Sequence, residues 1–377
     1  MSDIDFQPAH ALAMAIRRRE LSSRELLEHY LARVQRLNPP LNAVVTLDAA
    51  GARRAADEAD AALARGDVIG PLHGVPMTVK DCYDTAGMRT TCGVEEWDRV
   101  PERDAEAVRR LRAAGAVIFG KTNTPTLTAD WQTYNPIFGT TNNPWDTTRS
   151  SGGSSGGSAA ALAAGLTALE LGSDIAGSIR VPSNWCGTCG HKPSFGVVPQ
   201  RGHLPSAPGA LADRDLNVVG PMARDVDDLE MALDILAGPA AQQAKGWRLE
   251  FPAARANALP ELRLATWLDD PAYPVEDDVR SVLDSAATAL REAGARIVDS
   301  SPPVTLPELV ALHIELLYPL MEPSSEVLHR NWLSANEKRE ELRARIAEFF
   351  REVDALLMPV AVVPPIPHDH SAPLASR

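Results

Sequence analysis

Residues 115–122 read GAVIFGKT, and this stretch decides between two folds. It satisfies the phosphate-loop pattern G-x-x-x-x-G-K-[ST] at every fixed position. In such a loop the four variable positions form the turn whose backbone N–H groups surround the anion, but here they are AVIF, an apolar run that favours a strand. The Asn123-Thr124-Pro125 that follows delays any helix. The stretch therefore predicts a buried strand and its exit, and the NTPase interpretation is disfavoured.

Helical and strand patterns alternate on both sides of this strand. A capping box, Ser22 with Glu25, begins a helix of period 3.6. Further helices are predicted at residues 49–65, 105–114, 158–165 and 277–293, and strands at 42–47, 75–79, 116–119, 168–171, 262–268 and 296–298. This alternation favours an α/β fold, with a central mixed, mostly parallel twisted sheet flanked by helices in one large domain.

The composition and net charge of the chain indicate which classes of binding partner to expect. The chain has 377 residues, 45% of them hydrophobic, and a net charge of −13. Such a charge repels phosphate backbones and anionic lipid surfaces, so neither a nucleic-acid nor a membrane partner is expected. The first residues contain no apolar segment typical of a secretory signal. A soluble, reducing, cytoplasmic setting is expected.

The four cysteines are too few for a disulfide framework. Cys186 and Cys189 form a C-x-x-C pair, and His191 is close, but no fourth zinc ligand is evident. We therefore expect ordinary buried thiols, no metal and no cofactor.

The segment SSGGSSGGS, residues 150–158, has three interpretations. Gly152, Ser154 and Gly156 match the G-x-S-x-G nucleophile elbow, which requires a preceding strand that NNPWDTTR does not provide. A flexible linker is the ordinary interpretation of a Gly/Ser tract. Because the tract runs straight into a helix of small residues, an ordered active-site loop is favoured instead.

A second serine lies in GSDIAGSIR, residues 172–180. Ser178 is surrounded by small residues and precedes a candidate helix, where a row of backbone N–H groups can hold an oxyanion. A structural turn serine is the alternative.

A serine nucleophile needs a base, and three side chains are candidates. His73 and His191 are two of them. Lys80 ends the apolar strand in GVPMTVKD, and of the 37 basic residues only five are lysine. Since Lys can lose its proton when buried and Arg cannot, this choice favours a functional Lys80. An ion pair with Asp81 or Asp84 is the competing explanation.

Taken together, these segments resemble the amidase signature family. The matching segments occur in that family's order and densely cover residues 70–225: GVPMTVKD (74–81), GAVIFGKTNTP (115–125), FGTTNNPWD (138–146), GGSSGGSAAALAAG (152–165), GSDIAGSIRVPS (172–183) and CGHKPSFGVVP (189–199). The resemblance divides the single domain into an N-terminal helical part (1–66), a catalytic core (67–240) and a variable C-terminal part (241–377).

The resemblance also implies a Ser, cis-Ser, Lys triad. Ser178 would be the nucleophile, Ser154 the proton bridge beside a cis peptide, and Lys80 the base. The implied oxyanion donors are the N–H groups of Ile175, Ala176, Gly177 and Ser178. Supporting roles fall to Ser155, Asp174 and Arg180. The implied activity is hydrolysis of a small carboxylic amide through an acyl-enzyme.

The chain departs from the family's pattern in two places. Ala176 stands where the family commonly has glycine, adding a methyl group beside the oxyanion site. Relatives also continue beyond the point where this sequence stops, so the last part of the sheet is expected to be missing. The substrate pocket is expected to involve loops at 125–137, 200–215 and 310–335. Homodimers are common in the family, although this sequence reveals no interface.

Two further functions stay open: the amidase subunit of a tRNA-dependent amidotransferase, and a catalytically silent relative.

Overall fold

The computed structural model describes residues 4–204, 207–298, 300–321 and 326–371. The chain divides into two compact units, residues 1–249 with 365–377 and residues 250–364. The three-part division of one domain at residues 66 and 240 stays a prediction.

The first unit carries seven α-helices and eight strands among its described residues. The helices are α1 (Ala9–Arg17), α2 (Ser23–Leu37), α3 (Ala49–Ala64), α4 (Glu106–Ala113), α5 (Gly156–Ala163), α6 (Arg180–Cys186) and α7 (Val226–Leu236). The strands are β1 (Val44–Leu47), β2 (Pro76–Lys80), β3 (Val117–Thr122), β4 (Tyr134–Asn135), β5 (Gly139–Thr140), β6 (Leu169–Asp174), β7 (Cys189–Gly190) and β8 (Val218–Ala223).

Strand β3 is the GAVIFGKT stretch, and it lies between β2 and β1. It pairs parallel with β2 and antiparallel with β1, and every residue of β2 and β3 is buried. The strand continues three residues beyond its predicted end, through Lys121 and Thr122. Gly120 allows β1 to approach, because a Cβ atom there would lie 2.7 Å from the Thr46 carbonyl oxygen. The glycine and lysine of the pattern are therefore parts of a sheet.

A second sheet has the order β6-β8-β7, and its pairings are antiparallel. Strand β8, which contains Gly220 and Pro221, was not predicted, since both residue types are depleted in strands. The fold is α/β with mixed sheets, as predicted, but parallel pairing does not predominate in the described part of this unit. Alternation of helices and strands along a sequence does not reveal strand direction, which the connections set in three dimensions.

Helices cover the sheets as their patterns predict. The predicted capping box of α2 is present, with Ser22 and Glu25 each accepting from the other's backbone N–H. Helix α5 is buried from Gly156 through Leu162. Its small residues let it approach the exit of β3, where a Cβ atom on Gly157 would lie 2.3 Å from Asn123 N. This close packing positions the loop that precedes α5.

The second unit contains α8 (Asp277–Glu292), α9 (Leu306–Met321) and α10 (His329–Phe349). Its strands β9 (Arg263–Thr266), β10 (Arg296–Ile297) and β11 (Ala355–Leu357) form a parallel sheet of order β10-β9-β11. The predicted strands at 262–268 and 296–298 and the helix at 277–293 are confirmed within a few residues.

Residues 365–371, here called the C-terminal strap, belong to the first unit. Ser150 N donates to Ile366 O at 2.8 Å, and Asp369 N donates to Gln132 Oε1 at 3.0 Å. His370 stacks on Tyr134 with ring centroids 3.8 Å apart. Among the described residues, no helix has both the length and the apolar character needed to cross a bilayer.

Candidate active site

Three elements of the first unit deliver the three predicted catalytic side chains. Lys80 is the last residue of β2, Ser154 lies in the loop before α5, and Ser178 lies in the turn between β6 and α6. All three are at least 95% buried.

Lys80 contacts hydroxyl groups. Its Nζ donates to Ser154 Oγ at 2.6 Å and to Ser173 Oγ at 3.1 Å. Asp81 instead accepts from the Thr91 hydroxyl, and Asp84 pairs with Arg99. Neither carboxylate forms an ion pair with Lys80 in the described part of the chain, so the competing ion-pair explanation is wrong.

Burial lowers the pKa of Lys80 from its ordinary value. Cys82, Cys92, Asp174 and Glu170 oppose this shift when they carry negative charge. Burial also raises the pKa of the Cys82 thiol to about 11, so near neutral pH that thiol is uncharged and does not oppose it. A lysine in this setting can give up its proton far more readily than one in water.

The Gly/Ser segment is ordered, in agreement with the active-site-loop interpretation. The peptide bond between Gly153 and Ser154 is cis. Ser155 joins this loop to the second serine segment, because its N–H donates to Ser178 O at 3.1 Å and its Oγ lies 3.4 Å from both Ser173 N and Ser173 O.

Asp174 organises the turn that carries Ser178. Its carboxylate accepts from Gly177 N at 2.8 Å and Ile179 N at 3.0 Å, and it binds both Arg180 nitrogens Nη2 and Nε, at 2.8 and 3.0 Å. Burial by itself raises the pKa of Asp174, but the Arg180 guanidinium and these N–H groups outweigh burial, so the pKa is lowered. Asp174 is thus an anion that shapes the turn.

One predicted oxyanion donor needs correction. The Gly177 N–H is already donated to Asp174, so it is occupied in this structure. The N–H groups of Ile175, Ala176 and Ser178 donate to no acceptor among the described residues. These three remain as candidate donors.

Sequence reasoning missed Trp131 and Thr133. Trp131 Nε1 donates to Ala176 O at 2.9 Å, and Thr133 Oγ1 donates to Gly152 O at 2.9 Å. Both lie in segment 125–137, which was expected to form a pocket loop. Of the other two expected loops, residues 205, 206 and 322–325 lie outside the described residues.

Ser173 was also missed, although it stands beside Asp174 in the same segment. Its hydroxyl reaches Lys80 because β6 lies next to β2. No local sequence pattern shows that β6 and β2 are neighbours.

The remaining candidates do not join the site. His73 accepts from Ile69 N at 3.1 Å, and the His191 N–H donates to Pro221 O. Neither is hydrogen-bonded to a triad serine in the described residues. Cys186 and Cys189 are free thiols that face the carbonyl oxygens of Ser151 and Arg224.

Known proteins resemble this chain in sequence and in fold. A family model described as Amidase matches residues 25–321. The chain is 37% identical over 318 residues to a Glutamyl-tRNA(Gln) amidotransferase subunit of Moorella thermoacetica, covering 83% of this chain and 64% of that protein. It is 39% identical over 302 residues to an acylamidase of Rhodococcus erythropolis, covering 78% and 61%.

A solved structure described as a crystal structure of amidase superposes with a TM-score of 0.80 at 31% identity, covering 96% of this chain and 83% of that one. The chain spans less than two thirds of the length of the two curated relatives from Moorella and Rhodococcus.

Proposed function

Because the chain belongs to the amidase signature family, we propose that it hydrolyses a small carboxylic amide through a serine acyl-enzyme. The observation that carries this proposal is the 2.6 Å hydrogen bond from Lys80 Nζ to Ser154 Oγ, made by a fully buried lysine.

In the proposed mechanism, neutral Lys80 accepts a proton from Ser154 while Ser154 accepts one from Ser178. The Ser178 oxygen then attacks the amide carbonyl carbon and forms a tetrahedral intermediate. The same path returns a proton to the leaving amine as the carbon–nitrogen bond breaks. Water then hydrolyses the acyl-enzyme, with Lys80 again as the base.

The negative oxygen of the tetrahedral intermediate needs donors that are already oriented. Ile175, Ala176 and Ser178 supply N–H groups that Asp174 and Trp131 hold in place from either side of the turn. The Arg180 guanidinium forms an ion pair with the Asp174 carboxylate.

The test is covalent labelling by a fluorophosphonate, followed by intact and peptide mass spectrometry. We expect one adduct, on Ser178, which heat denaturation abolishes and Ser178→Ala prevents. A folded protein that acquires no adduct would contradict the proposal and favour the catalytically silent relative.

A second candidate function is favoured by the amidotransferase relative, which is similar over 83% of this chain. It would make this chain the ammonia-releasing component of an amidotransferase. Affinity purification from the native host and a glutaminase assay would test it. Stable co-purifying partners with glutamine-dependent ammonia release would replace the small-amide proposal, and a lone chain without glutaminase activity would exclude this candidate.

A further inference from the structure

Glu170 is a carboxyl group on β6 that is only 1% exposed. Within the described residues it forms no ion pair, and its neighbours are hydroxyl groups. Its Oε1 accepts from Thr78 Oγ1 on β2, and its Oε2 accepts from Thr122 Oγ1 on β3 at 3.3 Å. Ser158 Oγ of α5 lies 2.9 Å from Thr122 Oγ1, so α5 joins this cluster through Thr122. Glu170 therefore contacts β2 and β3 directly and is linked to α5 through Thr122.

Three residues of this cluster, Thr78, Ser158 and Glu170 itself, lie close in the chain to residues of the site. Thr78 is two residues before Lys80 on β2. Ser158 is in the first turn of α5, four residues after Ser154. Glu170 itself is three residues before Ser173, the second partner of Lys80. The carboxyl group thus connects the elements at both ends of the Lys80–Ser154 hydrogen bond.

We propose that Glu170 is a positioning residue: through Thr78 on one side, and through Thr122 and Ser158 on the other, it holds β2 and the first turn of α5 at the separation that the Lys80–Ser154 hydrogen bond requires. The inference rests on the proposed amide hydrolysis. A hydrogen bond of 2.6 Å between a lysine and a serine is sensitive to small displacements of either backbone, and misplacement of catalytic groups by about 1 Å costs roughly a hundredfold in rate.

The charge of Glu170 has a second effect, on the pKa of Lys80. Burial raises the pKa of Glu170 to about 7, while its hydroxyl neighbours oppose the rise. The ionised form of Glu170 raises the pKa of Lys80, so protonated Glu170 favours the neutral lysine.

Other charged groups lie near Lys80 and Glu170. Asp174 shares β6 and acts on Lys80 in the same sense as ionised Glu170. On β3, Lys121 donates to the Tyr83 carbonyl oxygen and lies 3.4 Å from Asp81. Helix α5, whose sequence is GGSAAALA, contributes no titratable side chain.

The test measures the second-order rate constant for fluorophosphonate labelling of Ser178 across pH, which needs no knowledge of the substrate. In Glu170→Gln the side chain stays neutral at every pH, so the pKa of Lys80 is lower above pH 7 than in the wild type. We expect the pH at half-maximal labelling to fall by roughly 0.5 to 1 unit. A purely structural role would leave that midpoint unchanged.

Thr78→Val tests positioning without removing the carboxyl group. It should lower the plateau labelling rate by at least about threefold. Thr124→Val is the matched control, because Thr124 is a buried threonine whose Oγ1 has no partner in the described part of the chain. The control should label at the wild-type rate.

Wild-type labelling kinetics in folded Glu170→Gln and Thr78→Val would overturn the inference while leaving the proposed function intact. If Glu170→Gln does not fold, a folded Thr78→Val with a wild-type rate is enough to overturn it. A folded wild-type protein that is not labelled at any pH would instead overturn the proposed function, and this inference with it.

Discussion

At the scale of single residues, the buried core uses lysine in a chain whose basic residues are mostly arginine. Of the five lysines, Lys80 and Lys121 are completely buried, and burial lowers the pKa of both. Their partners differ. Lys121 has the carboxylate of Asp81 at 3.4 Å, whereas Lys80 has two serine hydroxyls. Of these two lysines, only Lys80 can become neutral without leaving a buried carboxylate unpaired.

The first residue-scale prediction concerns the base. Lys80→Ala removes the proton acceptor, and Lys80→Arg keeps a cation that cannot lose its proton. Both should lower the rate of Ser178 labelling by about 10²- to 10⁴-fold. In the wild type, the neutral fraction of Lys80 grows as pH rises through its lowered pKa, so the rate should rise with pH and then level off.

Stopped-flow or quenched labelling at several pH values checks this prediction. Lys245→Arg, at an exposed lysine, is the control and should behave like the wild type. Full reactivity in folded Lys80→Ala would remove Lys80 from the mechanism.

At the scale of elements, the turn that carries Ser178 is held by hydrogen bonds from two sides. The Asp174 carboxylate accepts from N–H groups of this turn, and Trp131, in segment 125–137, donates to the Ala176 carbonyl oxygen. The same segment is bonded to the C-terminal strap through Gln132 and Asp369. The turn therefore depends on chain segments that are far apart in sequence.

Trp131→Phe keeps an aromatic ring and loses the indole donor to Ala176. The lost hydrogen bond is worth about 1 kcal/mol, and we expect the labelling rate of Ser178 to fall roughly fivefold. Trp145→Phe is a matched control, since Trp145 Nε1 makes a similar 2.8 Å bond to Cys186 O at the far end of α6. Equal rates in the two variants would show that the Trp131 bond does not position the turn.

At the scale of the whole molecule, the buried Glu170 couples folding to pH. Its pKa is raised from 4.5 to about 7 in the folded state, so its stabilising contribution is complete below pH 4.5 and is lost as pH rises to about 7. Relative to Glu170→Gln, the wild-type free energy of unfolding should fall by up to about 3 kcal/mol over that window.

Urea unfolding of both proteins at several pH values measures this difference. Glu28→Gln is the control, because Arg53 and Arg24 lower the pKa of Glu28 to about 2, so its stabilising contribution is constant above pH 4.5 and is lost only below it. A stability difference between wild type and Glu170→Gln that stays constant across the window would show that Glu170 keeps one charge state throughout.

Much of the candidate site could be predicted from the order of short motifs. Lys80 at a strand end, Ser154 in a Gly/Ser loop and Ser178 before a helix were each placed correctly in their elements, because strand ends and glycine-rich turns are local patterns. Ser173, Trp131 and Glu170 could not be assigned roles this way. Each of them acts through a neighbour on another element.

The sequence by itself therefore determined the α/β class, the strand in GAVIFGKT and the three candidate catalytic side chains, since burial pattern, turn chemistry and motif order are properties of neighbouring residues. Only the tertiary structure decided that Lys80 faces hydroxyls rather than Asp81 or Asp84, that the Gly177 N–H is donated to Asp174, and that Glu170 contacts β2 and β3. Strand order and direction set these contacts, and both arise from packing between distant segments.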